Sequence, residues 1–237
     1  MRVLGIDTSG YANAIGLVDG ERVLADFVVQ ARNESLSQIM LNVDGVLGEA
    51  GFGLEDIDGF GAGLGPGSWT GIRIGVTAGK MLAYGMGRPV RGISTLEALA
   101  YRARDCHKLI CPIVDAGARE TIYAAFYRSS HGEVHQTGDY YVGDLPGLAG
   151  MIKEPTVLVA AGAQKYRNEI GQLMKSGTVE ALESAPSGAT VALLAAARLE
   201  KGESDDALAL APLYLKEYMA RAFVNKYKRR AQATPQG

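Results

Sequence analysis

The sequence predicts an α/β chain built from two similar lobes, each a sheet with its own helices. Three observations predict it. A short apolar run ending in Asp opens both halves of the chain. A hairpin-type dipeptide follows the second strand in each half. The hydrophobic period then changes from that of a strand to that of a helix in the same order twice. An internal duplication of this kind constrains the fold more than any local propensity.

In the first half, Val3-Leu4-Gly5-Ile6 is an apolar run that stops at Asp7-Thr8-Ser9-Gly10, a strand running into a turn. Residues 14–18 form the next apolar run. Asp19-Gly20 reads as a hairpin dipeptide, because both turn positions tolerate positive φ. Residues 22–30 read as a third strand. From Ser35 the period lengthens: Leu36, Ile39, Met40, Val43, Leu47 and Ala50 share one helical face, and Gly51 closes the helix. Residues 57–61 are a short strand entering a glycine-rich loop, and residues 70–84 are a second helix.

The order then restarts. Residues 109–114 are an apolar run ending at Asp115, as the first ends at Asp7. Residues 122–127 are a strand, His131-Gly132 a turn, and residues 133–142 a third strand. Residues 156–160 form a strand running into Gly162, residues 166–174 have a helical pattern, and residues 187–199 form an alanine-rich helix. Three antiparallel strands followed by an α/β crossover, given twice, describe two ribonuclease-H-like lobes facing each other. That is the architecture of the actin, sugar-kinase and Hsp70 (ASKHA) superfamily, in which the Asp after the first strand and its turn lie near nucleotide phosphates. The lobes are placed at residues 1–104 and 105–225, with a basic tail at 226–237.

Composition narrows the function. The chain has 237 residues, enough for one large domain or two small ones with their own cores. Twenty-four basic against 26 acidic residues, a net charge of -2, do not describe a surface that grips nucleic acid throughout. Cys106 and Cys111 make neither a disulfide framework nor a CxxC pair, and read as buried free thiols of a reducing compartment. The start MRVLGIDTSG enters a strand pattern at once, and no apolar run is long enough to span a bilayer. The expected location is the cytoplasm.

Two stretches carry the functional question. GLGPGSWTGIRIG, residues 63–75, surrounds the only tryptophan with glycine. One reading is an anion cradle at a helix N-terminus, although the GK[ST] ending of a phosphate loop is missing. The other is close packing: Gly71, Gly75 and Gly79 recur every four residues and lie one above the next. Such a row admits a neighbouring backbone, either of this chain's core or of a partner. Asp7, with Thr8 and Ser9, and Asp115 in the second half are candidates for contact with a nucleotide phosphate. The alternative for Asp7 is the capping of its own turn. Arg119 and Glu120 are available to pair with Asp115 or with each other.

LGIDTSG, GLGPGSWTGIRIG, GVTAGKMLAYG, GISTLEALA, VDAGARETIYAAFY and APLYLKE, in this order and over nearly the whole chain, resemble the TsaB (YeaZ) family. The resemblance implies a non-catalytic subunit that scaffolds and activates threonylcarbamoyl transfer to the tRNA adenosine beside the anticodon. It implies a catalytic paralogue, TsaD, and an ATPase subunit, TsaE, as partners, a homodimer as an alternative assembly, and tRNA only through the complex. The expected partner surface is the first-half helices, through Leu36, Ile39, Met40, Val43, Gly71, Gly75, Gly79 and Leu82. No tightly bound cofactor is implied; a weak adenine nucleotide with magnesium, held in the complex, is compatible with the superfamily. The basic residues Lys226, Lys228, Arg229 and Arg230 are either a solvated terminus or a contact to tRNA phosphate.

The catalytic paralogues carry HxxxH on the helix that matches Ser94–Leu99 here, two imidazoles one turn apart that can hold one metal ion. This chain has Thr95 and Leu99 at those positions. A second HxxxH, from His131 to His135, straddles a hairpin turn rather than a helix, so its rings need not converge. A metal-dependent glycoprotease-like hydrolase and an ASKHA small-molecule kinase remain the alternative functions. Neither a catalytic triad nor paired carboxylates stand out. Because leucine has no donor atom, the purified chain is expected to hold no stoichiometric zinc or iron. One tightly bound transition-metal ion per chain in elemental analysis would overturn that reading.

Overall fold

Apolar alternation in the first thirty residues produces three antiparallel strands, and the rest of the first sheet grows on the inner one. In the computed structural model, which describes residues 1–30, 35–117, 121–173 and 178–215, these are β1 (Arg2–Asp7), β2 (Ala12–Asp19) and β3 (Arg22–Gln30). Parallel strands β4 (Gly59–Gly63) and β5 (Val90–Ile93) complete the order β3-β2-β1-β4-β5. Helices α1 (Leu36–Ala50) and α2 (Trp69–Met86) connect them. Each starts on a serine, Ser35 and Ser68, whose hydroxyl accepts from the backbone N–H three residues on. Arg119, Glu120 and the basic tail lie outside the described residues.

The second half repeats the first. Strand β6 (Leu109–Asp115) pairs with β7 (Ile122–Ala124) and β8 (Tyr127–Ser130) in a single register, Ile113 opposite Ala124 and Ile110 opposite Tyr127. They act as one interrupted strand. Likewise β9 (Glu133–Gln136) pairs β8 and β10 (Tyr141–Gly143) pairs β7, so the expected strand 133–142 is broken in the middle. Beyond helix α4 (Leu145–Met151), parallel β11 (Thr156–Ala160) and β12 (Val179–Glu183) flank β6 as β4 and β5 flank β1, with helix α5 (Ala163–Leu173) between them. His131 and Gly132 both have positive φ, 53° and 79°, as a type I′ turn requires. In the first hairpin Asp19 pairs with Arg22, so the turn residues are Gly20 and Glu21, one position later than expected. The strand expected at 57–61 runs two residues later.

The lobes exchange their last helices. Helix α3 (Thr95–Tyr101) packs Leu96, Leu99 and Ala100 with Ile110, Tyr127, Val157 and Val159 of the second sheet. Helix α6 (Gly188–Leu199) packs Val191, Ala192, Ala195 and Ala196 with Val3, Val18 and Ile93 of the first. A division at 104/105 therefore separates strands but not packing. The alanine content of α6 has its cause here: the helix lies with its backbone on the sheet. A Cβ on Gly16 would come within 2.1 Å of the Ala189 nitrogen. The Glu97–Arg198 ion pair joins the exchanged helices. Cys111 is buried, which pushes its thiol pKa up, and Cys106 is half-buried. No described helix is long and apolar enough to cross a membrane.

On the opposite face of the first sheet, the glycine row of α2 meets the turn after β1. A Cβ on Gly71 would lie 2.0 Å from the Thr8 carbonyl oxygen, one on Gly75 2.2 Å from Thr8 Oγ1, and one on Gly79 3.0 Å from Ala62 Cβ. Thr8 Oγ1 donates to the Gly71 carbonyl at 2.6 Å, and Ser68 N donates to the Ser9 carbonyl at 2.7 Å. This corrects the assignment of Gly71, Gly75 and Gly79 to a partner surface. Leu82, Ile39 and Val43 are likewise buried in the lobe's core, and Leu36 and Met40 pack against it. A row of small residues marks close approach but carries no sign of which neighbour approaches.

Asp7 is fully buried in the same knot. Its Oδ1 accepts from Ser9 N at 2.8 Å, and its Oδ2 lies 2.8 Å from Thr95 Oγ1. Burial raises its pKa above the ordinary aspartate value, and the hydrogen bonds from Ser9 and Thr95 pull it partly back.

Two outcomes follow. Gly75→Leu is expected to damage the fold itself, by about 1 to 3 kcal/mol or more, whereas Thr77→Leu on the exposed face of the same helix is expected to leave it intact. Equal melting temperatures for the two variants would refute the core assignment. Asp7→Asn mimics the protonated carboxyl. Because the folded-state pKa is raised, the parent's stability relative to this variant is greatest below the ordinary range near about 3.9 and falls as pH rises through the folded value. Denaturant unfolding at about pH 4 and about pH 8 reads that difference; a gap that is constant with pH would argue against it.

Candidate functional site

The two Asp turns face one another across a cleft between the lobes, with a volume of about 770 Å³. Ser9 and Gly10 come from the first turn; Asp115, Ala116 and Gly117 come from the second. The glycine loop supplies Pro66 to Trp69, and the exchanged helix α3 supplies Leu99. Of the sequence candidates, Ser9 and Asp115 reach the cleft. Asp7 and Thr8 do not line it; they hold the wall behind it through the knot with α2.

The chemistry of this cleft is that of an apolar cavity. Its walls carry Tyr11, Trp69, Tyr123 and Tyr214 along with Val28, Ile72, Leu99 and Ile113. Burial raises the Tyr123 hydroxyl pKa. Among the described residues, Asp115 is the one charged side chain in the lining, and no Lys or Arg joins it. Its Oδ1 accepts from Gly117 N at 2.7 Å, a turn-closing bond. At the start of α2, the Ser68 amide is taken by the Ser9 carbonyl and the Gly71 amide by Ser68 Oγ. Among the described residues, the lining therefore offers no basic side chain to meet the charge of a nucleoside triphosphate with magnesium. The packing reading of the glycine loop has the support that the anion reading lacks.

The two positions matched to metal ligands in catalytic paralogues have other roles here. Thr95 Oγ1 is engaged with Asp7 and lies 3.0 Å from Ser9 Oγ, and Leu99 forms part of the apolar wall. His131 sits in a hairpin turn with its Nδ1 2.9 Å from Ser130 Oγ, while His135 lies in β9. No group of three or more metal-ligating side chains occurs among the described residues.

One cluster at the cleft mouth was not found from sequence. After α6 the chain returns along α2, and Lys80 Nζ donates to the carbonyls of Leu208 and Leu210 at 2.9 and 2.8 Å. Leu213 N donates to the Leu64 carbonyl at 2.8 Å. Tyr214 then packs against Trp69, the rings tilted by 38° with centroids 4.5 Å apart, and Arg73 lies 3.9 Å over the indole while its Nε donates to the Tyr214 hydroxyl at 3.0 Å. The pairing spans 141 residues. Only Tyr214 of APLYL and the lone tryptophan hinted at it.

Comparison with known proteins places this arrangement. A family model described as TsaD, tRNA N6-adenosine threonylcarbamoyltransferase, matches residues 29–224. A Bacillus subtilis protein named tRNA threonylcarbamoyladenosine biosynthesis protein TsaB is 35% identical over 136 residues, 57% of this chain and 59% of that protein. The matches span 59% to 60% of the length of the curated TsaB relatives from three bacteria. The structure of YeaZ from Pseudomonas aeruginosa superposes with a TM-score of 0.76 at 26% identity, covering 90% of this chain and 99% of that one. A ROK hexokinase from Thermus thermophilus, at 15% identity and TM-score 0.51 over 84% of this chain and 100% of its own, shares the fold alone. With the family model spanning residues 29–224 and the YeaZ and TsaB proteins among its relatives, the chain belongs to the tRNA N6-adenosine threonylcarbamoyltransferase family and, within it, to the TsaB (YeaZ) group.

Proposed function

We propose that this chain is a non-catalytic subunit that scaffolds and activates tRNA threonylcarbamoylation, acting with a catalytic TsaD paralogue and a TsaE ATPase. The observation that carries the reading is the pair Thr95 and Leu99. Where a catalytic paralogue would hold a metal, one side chain closes a hydrogen-bonded knot with Asp7 and the other lines an apolar wall. The hydrolase reading loses its ligands at these positions. The kinase reading loses its phosphate contacts in the cleft. Transfer chemistry then belongs to the partner, and tRNA is reached through the complex.

The partner surface in this reading is the outer side of α1 and α2, not their buried faces. Leu41 on α1 is 64% exposed, and Met81 and Tyr84 on α2 are 58% and 70% exposed. Met81 and Tyr84 stand three residues apart and so share a helical face. Large exposed apolar side chains on neighbouring helices suit a helix–helix contact with a paralogue of similar architecture, or with a second copy of this chain.

Co-expression with the cognate TsaD is expected to co-purify the two chains, and tRNA modification is expected only when both are present. Turnover by this chain alone, lost on a substitution inside it, would reveal an active site here. Tyr84→Asp is expected to weaken the association by roughly 30-fold, about the 2 kcal/mol of an interface hot spot, with an unchanged melting temperature. Undiminished affinity would move the interface elsewhere on the molecule.

A further inference from the structure

A cleft of about 770 Å³ is the size that takes a small organic molecule, and such sites join apolar walls to a few polar groups. The surface on α1 and α2 assigned to a partner makes no use of it. Among the described lining residues one side chain is charged, the carboxylate of Asp115, and none is basic. Its Oδ1 closes its own turn by accepting from Gly117 N at 2.7 Å, and Oδ2 takes no hydrogen bond from the described residues. We propose that the cleft is a binding site for a small organic cation with an aromatic or branched apolar body.

Aromatic rings reach this carboxylate from both lobes. Tyr123 lies opposite Val114, the residue before Asp115, on the paired strands β6 and β7. Tyr11 comes from the turn after β1 and is 83% exposed, a large ring that the chain leaves largely uncovered. Burial raises the Tyr166 hydroxyl pKa, and Asp115, Glu169 and Tyr11 add to the rise. Asp115 and Tyr11 therefore bear on one phenol although they belong to different lobes. A cation is attracted both by a carboxylate and by the face of a tyrosine ring. Its apolar body meets Ile72, Leu99 and Ile113 on the walls. A neutral ligand of the same shape buries Asp115 without a counter-charge, which is costly, and an anion is repelled. The walls thus supply affinity, and the single carboxylate selects by charge. Trp69 is a reporter here rather than part of the cation site, because Arg73 already lies 3.9 Å over its ring.

The test uses the full chain alone, with neither partner nor tRNA. Trp69, the only tryptophan, lines the cleft, so its fluorescence reports occupancy. Phenethylamine, 2-phenylethanol and phenylacetate share a shape and differ in charge. Phenethylamine is expected to saturate the signal with half-saturation between about 1 and 10 mM, the range for so small a probe. The alcohol is expected to bind about tenfold more weakly, and the acid more weakly still. Asp115→Asn keeps an acceptor for Gly117 N but carries no charge. This variant is expected to lose the preference for the amine while it binds the alcohol as the parent does. Tyr11→Ala, at an exposed position, is expected to weaken the amine at least about threefold with an unchanged melting temperature. Equal affinity of the parent for amine and alcohol would overturn the proposal, as would a preference for the amine that survives in Asp115→Asn. Tightest binding by phenylacetate would replace it with an anion site, and no saturable signal from any of the three would leave the cleft without a ligand of this class.

Discussion

The backbone contact between the glycine row of α2 and the Asp7–Ser9 turn is the constraint on which the first lobe depends. Thr8 sits where the side chains of residues 71 and 75 would be, so α2 can reach the sheet only because those side chains are missing. That approach brings Ser68 and Gly71 within hydrogen-bond reach of the turn and fixes the glycine loop above it. The same turn then presents Asp7 to Thr95 at the beginning of the exchanged helix. A burial of two hydroxyls and a carboxylate is tolerable because each finds a partner within the knot. The cleft inherits its shape from this contact: the loop forms one wall, and the helix that begins at Thr95 contributes Leu99 to another.

Much of this fold was legible in the sequence, and the reasons differ by element. The strands of the first half, the hairpins and helix α1 rest on local period and turn chemistry, which act over a few residues. The duplication was legible because both halves repeat the same order, and the sheets confirm it strand by strand. The short strands β5 and β12 and the helix α4 escaped, since four to seven residues give periodicity too little length. The helix exchange also escaped. An apolar stripe states that a helix is covered, not which of two sheets covers it; only the alanine content of α6 pointed to an unusually close seat.

The site was less legible than the fold, for a related reason. The superfamily resemblance makes Asp7, Thr8, Ser9 and Asp115 candidates for phosphate contact, and of these Ser9 and Asp115 line the cleft. Asp7 and Thr8, chosen by the same resemblance, face inward. An Asp after a strand looks the same in sequence whether its carboxylate caps a buried turn or points at a ligand, because the choice depends on a side chain 88 positions away. The glycines of α2 failed as a partner surface on similar grounds. The aromatic cluster at the cleft mouth joins Arg73 to Tyr214, 141 residues apart in sequence, and no local pattern could have announced that pairing.

The helix exchange has a consequence for how the chain is made. The first sheet is complete in sequence by Ile93, but one of its faces is covered by a helix that ends at Leu199. At ordinary rates of translation, the ribosome needs roughly 5 to 20 s to supply the missing helix. During that interval the nascent first lobe has nothing of its own to cover Val3, Val18 and Ile93 on that face of the sheet. The cover of the first sheet is thus encoded last, so the first half alone carries an apolar face that only the second half can bury.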